Sequence, residues 1–249
     1  LNKSHSLFCG INYIGSPNEL KGCVDDADKL ALFMQSRGWD ARKCTRLDHR
    51  SIMPTHVNMI SAFRTLLTSI APGETGMFYY SGHGSFTKDM NNNETSGYDQ
   101  VLLPVDMIPI VDDELKQMIQ TYLRPNATLI VIMDCCFSGT ALDLKYNYAD
   151  ALASNKFTVN TRETDTIGNV IMISGCNDLQ TSAEVSLGNE AMGIMTWAFI
   201  ECVTKSSTIS WIELIQNMQQ KLKHGGFTQI PQLTSGRKIN VNDEISLVC

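Results

Sequence analysis

The sequence predicts a single α/β domain of three layers, in which helices cover both faces of a mostly parallel central sheet. Short apolar runs rich in branched and aromatic residues alternate with segments whose apolar residues recur at helical spacing. One run, residues 129–133, is apolar on both faces, as expected for a strand in the middle of a parallel sheet. With 249 residues and 43% hydrophobic side chains, the chain can bury a large core.

Apolar runs of strand length indicate the predicted strands, and apolar residues at helical spacing indicate the predicted helices. The first helix is predicted to begin with Asp25 as its N-cap and to end at Gly38, with Leu30, Phe33 and Met34 on one face. The predicted strands are residues 7–13, 76–81, 98–104, 129–133 and 170–174. The predicted helices are residues 25–37, 55–70 (Val57, Ile60, Phe63, Leu67), 112–123 (Leu115, Ile119, Leu123), 193–203 and 210–222.

Two polar stretches, residues 86–96 and 146–168, are predicted to be loops. The second is predicted to be flexible, as a processing site, a disordered linker or an active-site loop. We predict one domain over residues 1–249, with the chemistry-bearing segments in 1–150 and a C-terminal portion at 169–249.

Charge and cysteine content narrow the classes of function. Lys plus Arg is 20 and Asp plus Glu is 26, so the net charge of −6 offers no general attraction to nucleic acid or an anionic membrane. The longest apolar runs are about one strand long, too short for the roughly 18 residues of a membrane span. Eight cysteines without a CxxC pair predict reduced thiols and an intracellular, cytoplasmic protein.

One of the five histidines, His83, follows a buried strand and lies between two glycines. This position predicts an imidazole at the carboxyl edge of the sheet, where ligands and catalytic groups of α/β proteins gather. The alternative is a turn histidine that makes a local hydrogen bond.

A second buried strand ends in the sequence DCCFSG at residues 134–139 and brings a thiol to the same edge. A cysteine nucleophile needs a nearby base or imidazolium, which His83 would provide from the neighbouring strand. The alternative is an inert cysteine of the core.

The sequences YSGHG at residues 80–84 and DCCFSG at residues 134–139 closely resemble the His and Cys boxes of type I metacaspases, peptidases of the caspase-like fold. The resemblance covers nearly the whole chain and continues in family order. The further matching segments are GINY (10–13), LKGCVDDA (20–27), GYD (97–99), PVD (104–106), IVDDE (110–114), ALDL (141–144), ISGC (173–176), QTSA (180–183) and PQL (231–233).

The resemblance implies that His83 and Cys136 form the catalytic dyad, because the family nucleophile stands three residues before the glycine of its box. Cys136 fits that position and Cys135 does not. The implied oxyanion site consists of backbone N–H groups at Gly84 and Cys136. The resemblance also implies autoprocessing.

An acidic S1 pocket is implied at Cys23, Asp26, Ser81 and Asp134. Its carboxylates suit the guanidinium of Arg or the ammonium of Lys. The alternative for Asp26 is a first-turn acid that interacts with the helix dipole.

The resemblance maps calcium ligands onto Asp99, Asp112, Asp113 and Asp143. Calcium binds several hard oxygen ligands, which acidic side chains from different loops supply. The alternative is that Asp112 and Asp113 are the N-cap and first-turn acid of a helix.

The resemblance, with the residues that carry it, implies a calcium-activated cysteine endopeptidase that cleaves after Arg or Lys in peptides or proteins. We expect a monomer without nucleic-acid partners or a membrane span. The alternative is a catalytically silent caspase-like regulatory or interaction domain, because Phe137 replaces the histidine that usually follows the family nucleophile. A caspase with aspartate specificity is disfavoured, because Arg37 and Arg42 lie outside the implied pocket segments.

Overall fold

The computed structural model describes residues 2–88, 98–135, 142–148, 157–175, 184–187, 190–205 and 208–245. Its centre is an eight-stranded sheet in which five neighbouring strands are parallel, and each of the last three is antiparallel to the strand before it. The spatial order is β2 (Cys44–Leu47), β1 (Asn2–Gly10), β3 (Glu74–Ser81), β7 (Thr128–Asp134), β10 (Asn169–Ser174), β13 (Gln232–Ser235), β8 (Tyr146–Asn147) and β9 (Thr158–Val159).

In the described segments, helices connect the parallel strands as far as β7, and two more helices lie between β10 and β13. Thr55 and Ser210 cap the second and the last of these helices, because each hydroxyl accepts a backbone N–H of the first turn. In the described part of the chain the α-helices are α1 (Cys23–Ser36), α2 (His56–Ser69), α3 (Asp112–Tyr122), α4 (Ile194–Thr204) and α5 (Trp211–His224). A 3-10 helix, Ala41–Lys43, precedes β2.

Among the helices of the described segments, none has the length and apolar character needed to cross a membrane.

Different helices cover the two faces of the sheet. Phe8 of β1 and Ile132 of β7 pack in one core with α1, α4 and α5, whereas the adjacent residues Leu7 and Val131 pack in a second core with α2 and α3. Successive residues of a strand point to opposite faces, so both cores are built from the same strands. The predicted three-layer α/β fold with a mostly parallel sheet is confirmed.

The start of α1 differs from the prediction. The helix begins at Cys23, and the N–H of Val24 is capped by the side-chain oxygen of Asn12 at 3.1 Å. Asp25 lies within the first turn, so its prediction as the N-cap is wrong. The cap comes from the loop after β1, which a local sequence pattern does not show.

The predicted strand at residues 98–104 belongs to a separate antiparallel sheet and not to the central sheet. This sheet has the order β4 (Gly84–Lys88), β5 (Tyr98–Leu102), β6 (Ile110–Val111). A short hairpin, β11 (Glu184–Leu187) and β12 (Glu190–Gly193), precedes α4.

The stretches predicted to be loops contain short strands. β4 includes residues 86–88, and both β8 and β9 lie within residues 146–168 and extend the central sheet beyond β13. Residues 89–97 and 149–156 lie outside the described segments. Two-residue strands carry too little sequence pattern to be recognised without their partners.

Candidate active site

The two strands that carry the predicted dyad are neighbours and end together. β3 and β7 are parallel, and their last residues, Ser81 and Asp134, are register partners. His83 follows Ser81 by two residues, and in sequence Cys136 follows Asp134 by two. Neighbouring strands lie about 4.8 Å apart, so this register favours a His–Cys pair at the sheet edge. Cys136 lies outside the described residues, and the dyad stays a prediction.

Cys135, the neighbour of the predicted nucleophile, is buried. It is 1% exposed, takes no part in a disulfide, and packs in the core that includes Val131 and Met133. A thiol in this position has no access to a substrate, which favours Cys136 as the reactive cysteine of the pair.

The imidazole of His83 is held by the loop between β1 and α1. Nε2 lies 2.7 Å from the backbone oxygen of Asn18, and the ring packs against Tyr13 with 4.7 Å between ring centroids. A carbonyl oxygen can only accept a hydrogen bond, so Nε2 carries the hydrogen of the neutral ring. Nδ1 is then the nitrogen that can take a proton.

Gly84, the predicted oxyanion donor, is the first residue of β4 and pairs with Leu102 of β5. It is half-buried and directly follows His83. Its role, like that of the Cys136 N–H, stays a prediction.

All four residues predicted to form the S1 pocket lie close to the carboxyl edge of the sheet. Ser81 and Asp134 end β3 and β7, and Cys23 and Asp26 belong to the first turn of α1. All are buried, with Asp26 only 1% and Asp134 only 6% exposed. Burying carboxylates so completely is unfavourable unless hydrogen bonds or a cation compensate.

The carboxylates of Asp26 and Asp134 converge on Gly193, which directly precedes α4. The Gly193 N–H donates to Asp26 Oδ2 at 2.7 Å. A Cβ at this position would lie 3.0 Å from the same oxygen and would overlap Asp134 Oδ2. Only glycine leaves room for both carboxylates on this side of the chain.

Asp134 is held by a short chain of hydroxyls. Its Oδ2 accepts hydrogen bonds from the N–H and the Oγ1 hydroxyl of Thr196, at 3.0 and 2.6 Å. Tyr79 OH lies 2.6 Å from Thr196 Oγ1, whose one hydrogen goes to Asp134, so Tyr79 is the donor in this contact. Burial raises the pKa of Tyr79 well above its usual value, and the charges of Asp134 and Asp26 raise it further. The phenol therefore stays protonated and can donate.

Three of the four predicted calcium ligands lie together. One carboxylate oxygen from each of Asp99, Asp112 and Asp113 lies within 4.8 Å of the others. β5 and β6 are antiparallel with Val101 opposite Val111, so the residue two before Val101 approaches the residues just after Val111. The sheet register therefore explains the cluster.

Asp112 has further hydrogen bonds within this region, and Asp143, the fourth predicted ligand, lies outside the cluster. Asp112 accepts backbone N–H bonds from Gln100 at 3.1 Å and from Asp113 at 2.9 Å, so it also organises the start of α3. Asp143 is buried with a left-handed φ of 44°, and the three-carboxylate cluster found in the described segments does not include it. The oxygen donors of the cluster suit a hard cation such as calcium.

The fold, with His83 following β3 at the carboxyl edge of a mostly parallel sheet, defines a caspase-like domain. Residues 4–145 match the family described as metacaspase, peptidase C14 domain. The chain belongs to the metacaspase family, and it is therefore a member of a family of cysteine peptidases. The resemblance recognised in its sequence boxes is confirmed.

Individual relatives agree with this assignment. Metacaspase-1 of Meyerozyma guilliermondii is 34% identical over 96% of this chain and 71% of its own length. Metacaspase-1 of Kluyveromyces lactis is 32% identical over 95% of this chain and 67% of its own length. Metacaspase-1B of Aspergillus clavatus is 32% identical over 96% and 71%. The crystal structure of a Geobacter sulfurreducens protein matches with a TM-score of 0.71 over 98% of this chain and 97% of that chain; at 21% identity it supports the fold alone.

Proposed function

We propose that this chain is a calcium-activated cysteine endopeptidase that cleaves peptide bonds after Arg or Lys. The observation that carries the proposal is the convergence of two buried carboxylates, Asp26 and Asp134, at the sheet edge where His83 lies. Two carboxylates close together favour a cationic partner, because their mutual repulsion is relieved when a positive charge binds between them.

The proposed reaction begins when His83 Nδ1 accepts the proton of the Cys136 thiol. The thiolate attacks the scissile carbonyl carbon, and the N–H groups of Gly84 and Cys136 stabilise the oxyanion. His83 then donates the proton to the leaving amine as the C–N bond breaks, and an acyl-enzyme remains. Water, deprotonated by His83, attacks the thioester, and the thiol is released. The bond from Nε2 to the Asn18 oxygen supports this scheme, because it leaves Nδ1 as the base.

The proposed S1 pocket recognises P1 Arg by paired hydrogen bonds and P1 Lys by a point charge. Asp26 and Asp134 are preorganised for this by the Gly193 N–H and by Thr196. Because the carboxylates are already fixed, they lose little entropy when a substrate binds. Their negative charges favour a basic side chain over a neutral one.

For calcium, we propose Asp99, Asp112 and Asp113 as carboxylate ligands, with Asp143 contributing from the segment that follows the nucleophile in sequence. Bound calcium would supply positive charge that offsets the repulsion among these carboxylates. The cluster joins β5 to the start of α3, and β5 pairs with β4, which directly follows His83. The ion would therefore order the active-site surroundings and act as a conformational switch.

A fluorogenic peptide ending in Arg tests the proposed function directly. We expect hydrolysis of Arg and Lys peptides in calcium, little hydrolysis after chelation, and none of a matched Asp peptide, because the S1 carboxylates repel an acidic side chain. Absence of hydrolysis at every calcium concentration would instead favour the silent regulatory domain. Hydrolysis of the Asp peptide alone would favour a caspase with aspartate specificity.

Isothermal titration calorimetry tests the calcium ligands separately from activity. The Cys136→Ala chain is expected to bind calcium, and adding Asp112→Ala and Asp113→Ala should weaken binding at least about tenfold, because two of the negative ligands are lost. The matched control is Asp243→Ala, which removes an exposed carboxylate that bonds only to Asn240 among the contacts described. Calcium binding that is unchanged after both substitutions would leave Asp112 and Asp113 as helix-terminal acids and contradict the switch.

A further inference from the structure

We infer that Tyr13 and Tyr80 are positioning residues that fix His83 for catalysis by holding the peptide groups on both sides of it. The inference rests on the proposed function, because it concerns the same histidine. It gives a role to the tyrosines of the GINY and YSGHG segments, which the proposed reaction does not otherwise use.

The two hydroxyls bind opposite ends of the His83 backbone. The His83 N–H donates to Tyr13 OH at 2.8 Å, and Tyr80 OH donates to the His83 oxygen at 2.7 Å. Tyr13 OH donates in turn to the Leu103 oxygen at 2.6 Å. Each phenol hydrogen therefore has a carbonyl acceptor, and both polar groups of the His83 backbone have a partner.

These contacts add to the backbone pairing of His83, whose oxygen also accepts the Leu103 N–H at 3.1 Å, at a point where the chain passes between two sheets. β3 ends at Ser81 in the central sheet, and β4 begins at Gly84 in the three-stranded sheet. The intervening residues lie outside both strands, so strand pairing alone does not fix the direction of the His83 side chain. Hydrogen bonds from rigid aromatic side chains supply this restraint.

The tyrosines are suited to the role because they are buried and stay protonated. Tyr13 and Tyr80 are 3% and 0% exposed. Burial raises the pKa of each phenol far above its usual value, so both remain hydrogen-bond donors across the range in which cysteine peptidases work. A buried hydroxyl without hydrogen-bond partners would destabilise the fold. Here both tyrosine hydroxyls form hydrogen bonds to the same short segment.

Tyr13 also links the His83 backbone to its ring. The Tyr13 and His83 rings are in contact, and Tyr13 belongs to the same loop as Asn18, whose oxygen binds His83 Nε2. Tyr13 has a left-handed φ of 50°, which is uncommon for a tyrosine and is maintained by its surroundings. One loop thus restrains both the backbone and the imidazole, and Tyr80 completes the restraint from β3.

Tyr13→Phe and Tyr80→Phe test the inference, because each removes one hydroxyl and keeps the ring. Each is expected to lower kcat on an Arg peptide about tenfold while KM changes less than about twofold, since the substrate pocket is untouched. A second measurement is the rate at which iodoacetamide alkylates Cys136, followed against pH by mass spectrometry. Because the thiolate depends on a correctly placed imidazolium, alkylation at mildly acidic pH should slow about tenfold.

Tyr148→Phe is the matched control. Tyr148 is equally buried, and its hydroxyl also accepts a backbone N–H, from Ile239 at 3.0 Å, but it lies beside β8 and β13 and away from His83. It should keep kcat and the alkylation profile within about twofold of the parent chain, although it also loses buried hydrogen bonds.

The inference is overturned if both Phe variants match the parent in kcat and alkylation, or if Tyr148→Phe loses as much as they do. Should the parent chain fail to cleave any Arg peptide, the proposed function fails, whereas the alkylation profile still tests the placement of His83.

Gly82→Ala probes the same contacts without altering a tyrosine. A Cβ at Gly82 would lie 2.8 Å from Tyr80 OH and 2.9 Å from Tyr13 OH, so both hydroxyls must move. We expect a fall in kcat that is smaller in the Tyr13→Phe/Tyr80→Phe background, where both hydroxyls are gone and the close contact that remains is the Tyr80 ring carbon at 3.0 Å. An undiminished loss in that background would contradict the inference. If one single Phe variant does not fold, the same comparison is made in the background of the other single Phe variant.

Discussion

Cys136→Ala is expected to abolish hydrolysis of an Arg peptide, lowering kcat/KM by about 10⁴-fold or more, because no other group in the proposed site can form the acyl-enzyme. The thermal midpoint of the variant should stay close to that of the parent chain, which separates lost chemistry from lost folding. The measurement is the initial rate of hydrolysis with calcium present, beside thermal unfolding of the same sample.

The matched control is Cys135→Ala, which removes the neighbouring thiol. Cys135 is buried in the core under the sheet edge, so its removal should leave a small cavity and cost about 1 kcal/mol in the free energy of unfolding. Much of the activity should remain. Labelling of Cys135 by an electrophilic arginyl probe, with Cys136 spared in the folded chain, would show that the nucleophile has been assigned to the wrong cysteine.

The second large effect is expected for Asp134→Asn. Asparagine keeps the shape of the side chain and an oxygen that can accept from Thr196, but it removes the negative charge. Transition-state binding of Arg and Lys substrates should weaken by about 2 to 4 kcal/mol, roughly 30- to 1,000-fold in kcat/KM, because a buried charge pair is lost. A P1 Ala peptide should be affected far less. The measurement is kcat/KM for three peptides that differ only at P1.

Asp48→Asn provides the comparison for a buried carboxylate outside the proposed pocket. Asp48 is 3% exposed and pairs with Arg50 near the β2 edge of the sheet. Asp48→Asn should change the free energy of unfolding and leave the order of preference among the P1 Arg, Lys and Ala peptides intact. If Asp134→Asn reduced cleavage of Arg, Lys and Ala peptides equally, Asp134 would have a structural role and the specificity hypothesis would be wrong.

Much of the central sheet could be predicted because its strands and crossover helices have strong local patterns. Residues 129–133 are apolar at every position, which only a strand with both faces covered explains well, and they lie within β7. β2 and β13 were not predicted, since four-residue strands acquire their identity from the neighbours with which they pair. The same limit applies to β8 and β9.

The candidate site, like the sheet, could be predicted from the sequence only in part. His83 and Asp134 could be placed at one sheet edge from the sequence, because both follow recognisable strands. The sequence predicts Gly193 only as the start of a helix, and no motif in it points to Thr196. Asp26 is separated by 167 residues from Gly193, which donates to its carboxylate, and no local pattern indicates a contact of that range.

The sequence by itself determined the three-layer fold class and the family, and its two boxes predict His83 and Cys136 as the reactive pair. These depend on residue order and on periodicities of two or 3.6 residues, which are local properties of the chain. Only the tertiary structure decided how the carboxylates of Asp26 and Asp134 meet around Gly193, how Asp99 approaches Asp112, and how two phenols bind the His83 backbone. Such contacts depend on which surfaces the packed layers bring together, and a carboxylate or a hydroxyl acquires its partners, its burial and its pKa only there.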